Sequence, residues 1–339
     1  KVNILKYAGE YCYLDCITLR DGYRKFQSLV MEGIGLNIER YMTLPSMAND
    51  YLVIKGCYDG VLKLSGVPRN FIQKCVVGGR TMCRRNEKFN IKDQPLADFD
   101  AVSLYPSAMA RMKGFPKGKP LIIEDFNSIK NTASAYYVCI EITKIKKSYD
   151  FPCSSLLTKD GIRNFTNDLE GHKIYIDNIA LEDLIKYQGA EFKFINGYYF
   201  NDGFNNKINE TITYLFNQRL KFKKLKNPLQ LVFKELMNSS YGKSCLKPID
   251  SDSIYVSKDN FKEYVIKNYN YIKEATLLAN KKFYKIKLTK SIDTHFNNVH
   301  VGVLILSMSK SIMFEVMTLA EDLDIDMYYT DTDSIHIDN

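Results

Sequence analysis

Tyr329-Thr330-Asp331-Thr332-Asp333-Ser334 places two carboxylates between two short runs, 327–329 and 334–337, that are rich in β-branched and aromatic residues. Runs of that composition read as strands and the polar tripeptide as a tight turn, so the stretch predicts a hairpin with two acids at its tip. Aspartate is common in turns for local hydrogen-bonding reasons alone. The acids gain chemical meaning only if other parts of the chain bring them partners.

Just upstream, 301–323 reads as a long apolar helix in which Met308, Ile312, Met313, Val316, Met317 and Ala320 mark a buried face. Much earlier, Asp98 and Asp100 alternate with apolar residues in Leu96-Ala-Asp-Phe-Asp-Ala-Val-Ser-Leu-Tyr-Pro-Ser107, as on a strand. The chain then turns into a short helix with Pro106 suited to its first position. Asp100 is thus expected at a strand end, with the free amides of Ser103, Leu104 and Tyr105 just beyond it at a helix N-terminus, where phosphate oxygens are favoured. A metal held by Asp100 beside bound phosphates is the chemical consequence.

A third element lies between these two. Residues 209–226 read as a helix that turns Ile212, Leu215, Phe216 and Leu220 to a core and crowds Arg219, Lys221, Lys223, Lys224 and Lys226 into its second half. Arg219, Lys223 and Lys226 share a stripe. Asn227-Pro228 ends that helix, and 229–241 reads as a second one, antiparallel to the first because the link is short. Lys234, Asn238 and Tyr241 recur there at i, i+4 and i+7, on one face, and Gly242 follows.

The composition admits this chemistry. With 339 residues, 45% hydrophobic and 25% charged, the chain can build a sizeable core and more than one subdomain, and 47 Lys+Arg against 39 Asp+Glu give a charge of +8 that suits a polyanionic partner. The eight cysteines (Cys12, Cys16, Cys57, Cys75, Cys83, Cys139, Cys153, Cys245) include no C-x-x-C pair, and the four histidines complete no zinc spacing with them. Reduced, mostly buried thiols in an intracellular protein are expected. The longest apolar run, 301–306, is too short for a bilayer and the start of the chain lacks a signal-peptide layout, so no membrane partner is expected.

Elsewhere, 1–36 reads as a helix with Tyr11 and Asp15 on one face, and 41–70, punctuated by Pro45, Gly56, Gly60, Gly66 and Pro68, as short extended connecting pieces. Gly78-Gly79-Arg80, followed by Arg84, Arg85 and Lys88, suits close approach to a phosphate backbone; the alternative is a β-turn with solvated charges. Strands are expected at 136–142, 172–176 and 192–200, a loop at 152–158 and a helix at 181–187. Residues 245–298, rich in lysine and tyrosine, read as an insertion with strands at 253–256 and 283–288 and a helix at 261–268.

A strand-end carboxylate beside free amides, a basic helical hairpin and a paired-carboxylate turn converge on one chemistry. Two divalent ions about 4 Å apart, bridged by aspartates and phosphates, activate a hydroxyl and stabilise a pyrophosphate leaving group in an in-line displacement. That is nucleotidyl transfer.

The strings Asp100-Ala-Val-Ser-Leu-Tyr-Pro-Ser107, Lys234-Glu-Leu-Met-Asn-Ser-Ser-Tyr-Gly242 and Tyr329-Thr-Asp-Thr-Asp-Ser334 resemble motifs A, B and C of family B DNA polymerases, in that order. The short spacing, the inserted segments and His295-Phe-Asn-Asn-Val-His-Val-Gly resemble its protein-primed branch, found in linear plasmids, phages, viruses and transposons. The resemblance implies an α+β fold: a right-hand palm, with an antiparallel sheet backed by helices, a helical-hairpin fingers subdomain and small inserted α/β segments. It divides the chain into the end of an exonuclease domain (1–40), a connecting Gly-Gly region (41–95), palm (96–205, insertion at about 145–200), fingers (206–245), and palm again (246–339, insertion at about 248–295).

The resemblance also assigns roles. Asp100 and Asp333 would ligate metal (two Mg²⁺, with Mn²⁺ an alternative), joined by the Ala101 carbonyl, with Asp331 an auxiliary acid. Ser103, Leu104, Arg219, Lys223, Lys234 and Asn238 would hold the triphosphate. Tyr105 would lie under the sugar and exclude a ribose hydroxyl, and Tyr241 would pack against the nascent base pair. Gly78, Gly79, Arg80, Ser239 and Gly242 would meet DNA, although Val76 stands where the family's Gly-Gly segment has a tyrosine. Tyr11 and Asp15 resemble the third exonuclease motif. The implied partners are template-primer DNA, dNTPs and a terminal protein primer. No earlier exonuclease acids and no thumb motif accompany these strings, so the expectation is a polymerase core without exonuclease activity and with weak hold on DNA. The alternative is a catalytically silent nucleic-acid-binding fragment.

Overall fold

The computed structural model describes residues 3–88, 90–91, 95–246, 249, 251–291 and 295–338; residues 1–2, 89, 92–94, 247–248, 250, 292–294 and 339, which the expected segments include, lie outside the described residues. Helix α1 (Ile4–Ile34) starts where the Asn3 side chain accepts from the Leu5 and Lys6 amides and stops at left-handed Gly35. Helices α2 (Leu44–Ile54) and α3 (Gly66–Gln73) lead to β1 (Thr81–Cys83), β2 (Leu96–Asp100) and α4 (Leu104–Arg111). Next come β3 (Phe115–Pro116), β4 (Leu121–Ile122), α5 (Phe126–Ile129), β5 (Ala135–Lys144), β6 (Ser155–Leu157), β7 (Arg163–Phe165), β8 (Lys173–Asp177), α6 (Asn178–Gln188), β9 (Glu191–Phe200) and β10 (Phe204–Asn205). The basic hairpin is α7 (Lys207–Lys224) and α8 (Leu229–Ser239), followed by β11 (Ser251–Ser257), α9 (Lys258–Asn268), β12 (Ile272–Leu277) and β13 (Phe283–Thr289). Helix α10 (Val299–Asp322) feeds the hairpin β14 (Met327–Asp331) and β15 (Ser334–Asp338).

The fold is α+β, as expected. Its organising sheet runs β1-β14-β15-β2, all antiparallel, and joins segments up to 250 residues apart in sequence through pairs such as Thr81 with Asp331 and Ser334 with Asp100. Its buried face (Met82, Met327, Ile335) packs on Met313, Met317 and Ala320 of α10. The main core lies between α2, α7, α8 and the first half of α10 and includes Met47, Leu52, Leu215, Phe233 and Val303.

Two expectations need correcting here. Residues 44–54 and 66–73 are helical and contribute Met47, Ala48, Tyr51, Leu52 and Ile72 to the core, where extended connectors were expected. Pro45 and Pro68 sit in first turns, where a helix needs no amide donor, and the Thr43 side chain caps α2, so neither proline breaks anything. A second sheet also begins well before the bounds of about 145–200 expected for an inserted unit. Strands β4-β9-β5-β8 form a separate antiparallel sheet, so the unit starts at Leu121 and has its own core of Ile123, Val138, Ile140, Ile142, Leu181 and Leu184.

Helix α10 is, among the described residues, the one helix long and apolar enough to cross a membrane, yet 67% of its most apolar window is buried inside the fold, as in a core helix. All eight cysteines are unpaired, and Cys12, Cys16 and Cys83 are exposed, where mostly buried thiols were expected.

Candidate active site

Ser334 lies opposite Asp100 across β15 and β2, and the Ala101 amide donates to the Asp333 carbonyl at 2.7 Å. The sheet therefore sets Asp100 and Asp333 side by side at its edge. Partial burial holds the Asp333 carboxyl above the usual carboxylate range, with the negative charges of Asp100 and Asp331 adding to the shift. Asp331 is held separately: its carboxylate accepts from the Thr81 hydroxyl at 2.7 Å and the Thr332 hydroxyl at 3.3 Å.

Thr332, at the tip, has φ +58°. A β-branched residue enters that left-handed region at a cost of about 1–2 kcal/mol. Its amide donates to the Arg80 carbonyl at 2.7 Å, and Gly79 lies so close that a Cβ there would sit 2.5 Å from the Thr332 hydroxyl. Only a glycine lets the linker approach the tip this closely. Gly78 has open space around it.

Ser103 is a second left-handed residue, with φ +51°, between Asp100 and α4. Its hydroxyl accepts from Arg219 Nη1 at 2.9 Å, which ties the basic hairpin to the strand end. Helix α4 begins at Leu104, a buried anchor, so Pro106 falls at the third helical position; Ser103 makes no side-chain cap to the amides beyond it. Tyr105 stacks on Tyr241 with ring centroids 4.0 Å apart, and burial followed by the neighbouring Tyr241 raises its phenol above the ordinary range.

Lys223 is exposed one turn from Arg219, while Lys234, Asn238 and Ser239 are half-buried on α8. Helix α8 stops at Ser239, so Tyr241 reaches Tyr105 from the following turn and not from the helix face that spacing suggested; Gly242 follows in that turn.

Arg80, expected beside a phosphate backbone, is 3% exposed. Its Nη2 donates to the Pro152 carbonyl at 2.7 Å and Nη1 to Met317 Sδ at 2.9 Å, and the guanidinium lies 4.9 Å from the Phe165 ring and 5.3 Å from that of Phe314. Those aromatic walls come from distant segments, so no local pattern announces them. Tyr11 and Asp15 lie exposed on α1, where Tyr11 stacks on Tyr7. Residues that sequence reasoning missed are Thr81 and Thr332, which hold Asp331; hydroxyls beside an Asp-x-Asp turn are the available signal.

Among the described residues no three acids, histidines or cysteines converge into a ready-made metal cage. An exposed and a half-buried hard-oxygen carboxylate, Asp100 and Asp333, whose mutual repulsion a dication would relieve, fit Mg²⁺, which takes one or two carboxylates and completes its shell with water and phosphate.

The family described as DNA polymerase type B, organellar and viral, matches residues 1–322. The chain is similar to a probable DNA polymerase of Neurospora intermedia, 25% identical over 341 residues that cover 97% of this chain and 33% of that one. It is 25% identical to a probable DNA polymerase of Ascobolus immersus over 97% of this chain and 26% of that one. Among solved structures, Phi29 DNA polymerase in an orthorhombic crystal form is similar with a TM-score of 0.58 and 18% identity over 92% of this chain and 51% of that one. The same enzyme complexed with primer-template DNA and incoming nucleotide substrates gives a TM-score of 0.57 and 19% identity over 88% and 49%. The chain thus spans about a third or less of the curated relatives' length and about half of the Phi29 chain. The chain belongs to the organellar and viral type B DNA polymerases.

Proposed function

We propose that this chain carries the nucleotidyl-transfer centre of a DNA-directed DNA polymerase, acting on template-primer DNA and dNTPs. The observation that carries the reading is the placing of Asp100 beside Asp333 by the Ser334–Asp100 register of β15 and β2 and by the Ala101 amide on the Asp333 carbonyl, with the Ser103–Arg219 link and the Tyr105–Tyr241 stack beside it. The Phi29 complex with primer-template DNA and incoming nucleotides supports the substrate class. In this reading 1–40 ends an exonuclease domain, β1-β14-β15-β2 is the palm and α7–α8 the fingers.

Asp100, Asp333 and the Ala101 carbonyl would hold two Mg²⁺, or Mn²⁺, with Asp331 a supporting charge. When bound, the ions supply charge neutralisation and ease loss of the hydroxyl proton. The rest falls to the chain's own residues. Arg219, Lys223, Lys234 and Asn238 orient the triphosphate, and the Ser103, Leu104 and Tyr105 amides face its oxygens. The primer hydroxyl oxygen attacks the α-phosphorus, its proton leaves, and the bond to pyrophosphate breaks. That hydroxyl is a nucleic-acid 3′-OH or, in the protein-primed form, one on a terminal protein. Tyr105 closes the floor under the sugar and Tyr241 packs the new pair. Gly78, Gly79, Ser239 and Gly242 border the DNA, and Arg80 acts from beneath the sheet. The setting is the site of viral, plasmid or organellar DNA replication.

Primer extension with dNTPs and Mg²⁺ tests this. Extension by the purified chain that disappears in Asp333→Ala supports the proposal; DNA binding without extension points to the silent fragment instead.

A further inference from the structure

Three cations grip the linker that runs from α3 to β1. Lys310 of α10 donates from Nζ to the Val77 carbonyl at 2.6 Å and to the Leu306 carbonyl at 2.9 Å. Arg163 of β7 donates to the Val76 carbonyl at 3.4 Å, and Arg80 ties the linker's end to the Pro152 carbonyl. The linker's opposite side meets the hairpin tip: Gly79 presses on Thr332, the Arg80 carbonyl takes the Thr332 amide, and the Thr81 hydroxyl reaches Asp331.

A half-buried lysine on a core helix is costly unless its ammonium finds acceptors, and its charged neighbours explain only part of its presence. Burial pushes Lys310 down to about 7, against the charge of Asp177. Asp177 itself is 1% exposed and already engaged, capping α6 through the Ile179 and Ala180 amides and accepting from the Ser307 hydroxyl at 2.5 Å. What Lys310 adds is a short bond to one linker carbonyl, two residues before Gly79.

We infer that Lys310, assisted by Arg163, is a positioning residue for the hairpin acids: it fixes Val77, and thereby the seat on which Gly79 and Arg80 hold Thr332 between Asp331 and Asp333. The catalytic consequence rests on the polymerase reading; the positional one does not.

Hydrogen exchange at the Thr332 amide reads the seat directly. In Lys310→Met, which removes the ammonium and both its hydrogen bonds at similar side-chain length, that amide is expected to exchange about tenfold faster while β5 and β8 keep parental protection. Lys310→Arg is expected to restore it, and Arg163→Gln to show a smaller acceleration. In primer extension, Lys310→Met lowers kcat about tenfold with the KM for dNTP unchanged. A parental Thr332 rate in folded Lys310→Met overturns the inference, as does a loss in Lys310→Arg equal to that in Lys310→Met. If Lys310→Met does not fold, Arg163→Gln decides, with acceleration in support and a parental rate against. A parent chain that extends no primer refutes the polymerase reading and leaves the exchange result to judge this one.

Discussion

In β5, within the sheet of the 121–200 unit, seven of ten residues are buried, whereas β2 of the acid-bearing sheet has four exposed residues and one half-buried one. The first sheet lies over a continuous apolar core; the second packs on α10 by one face and spends its open edge on carboxylates. The second also holds two non-glycine residues in left-handed conformations at its rim, Ser103 and Thr332, among seven described in the chain. The densest apolar packing and the candidate reactive groups thus lie in different sheets, and a strained edge is tolerated because its geometry is fixed from outside, by Arg219 on Ser103 and by the linker on Thr332.

Substitutions should separate the two sheets. The largest effect is expected for Asp100→Asn, with primer extension falling about a thousandfold, or about 4 kcal/mol of transition-state stabilisation, while the thermal midpoint holds or rises because a like-charge contact with Asp333 is gone. Ile140→Ala, fully buried in β5, should do the reverse. Chemical denaturation is expected to show a loss of about 2–5 kcal/mol, with turnover per folded molecule unchanged. A loss of turnover there would erase the distinction.

Arg219→Gln comes next, because it removes both a cation and the bond that supports Ser103. Steady-state kinetics should show extension about 30-fold slower, equivalent to about 2 kcal/mol, with little change in the midpoint. The smallest effect concerns Asp183, on α6 of the 121–200 unit, which burial, with some help from Asp177, pushes up to about 6 although the Ser311 hydroxyl opposes the shift. A raised carboxyl binds its proton more tightly in the folded state, so its stabilising share is present below pH 4 and lost as pH climbs through 6. Midpoints measured between pH 4.5 and 7.5 should fall less in Asp183→Asn than in the parent.

The acid-bearing sheet is the more legible of the two in sequence. Its hairpin, Asp100 and the basic helices combine residue types whose joint spacing few other chemistries require, and the structure brings Asp100, Asp333, Arg219 and Tyr105 together. What escapes sequence reading is set by distant contacts. Arg80 looks like a surface cation until Phe165, Phe314 and Pro152 close over it. Pro45 and Pro68 look like breakers until their places in first turns are known. Strand β12, with five of six residues exposed, has no alternation to betray it. Lys310 is visible as the one lysine of an apolar helix, but its carbonyl partner is not.

Helix α1 has one buried residue, Val30, and Gly33 near its end fits so tightly that a Cβ would lie 2.9 Å from Leu229 of α8. Thirty-one residues make a rod roughly 46 Å long. Its C-terminal end is seated on the basic hairpin, so any side chain larger than glycine at position 33 would have to push α1 and α8 apart and carry that strain into the helix that bears Lys234 and Asn238.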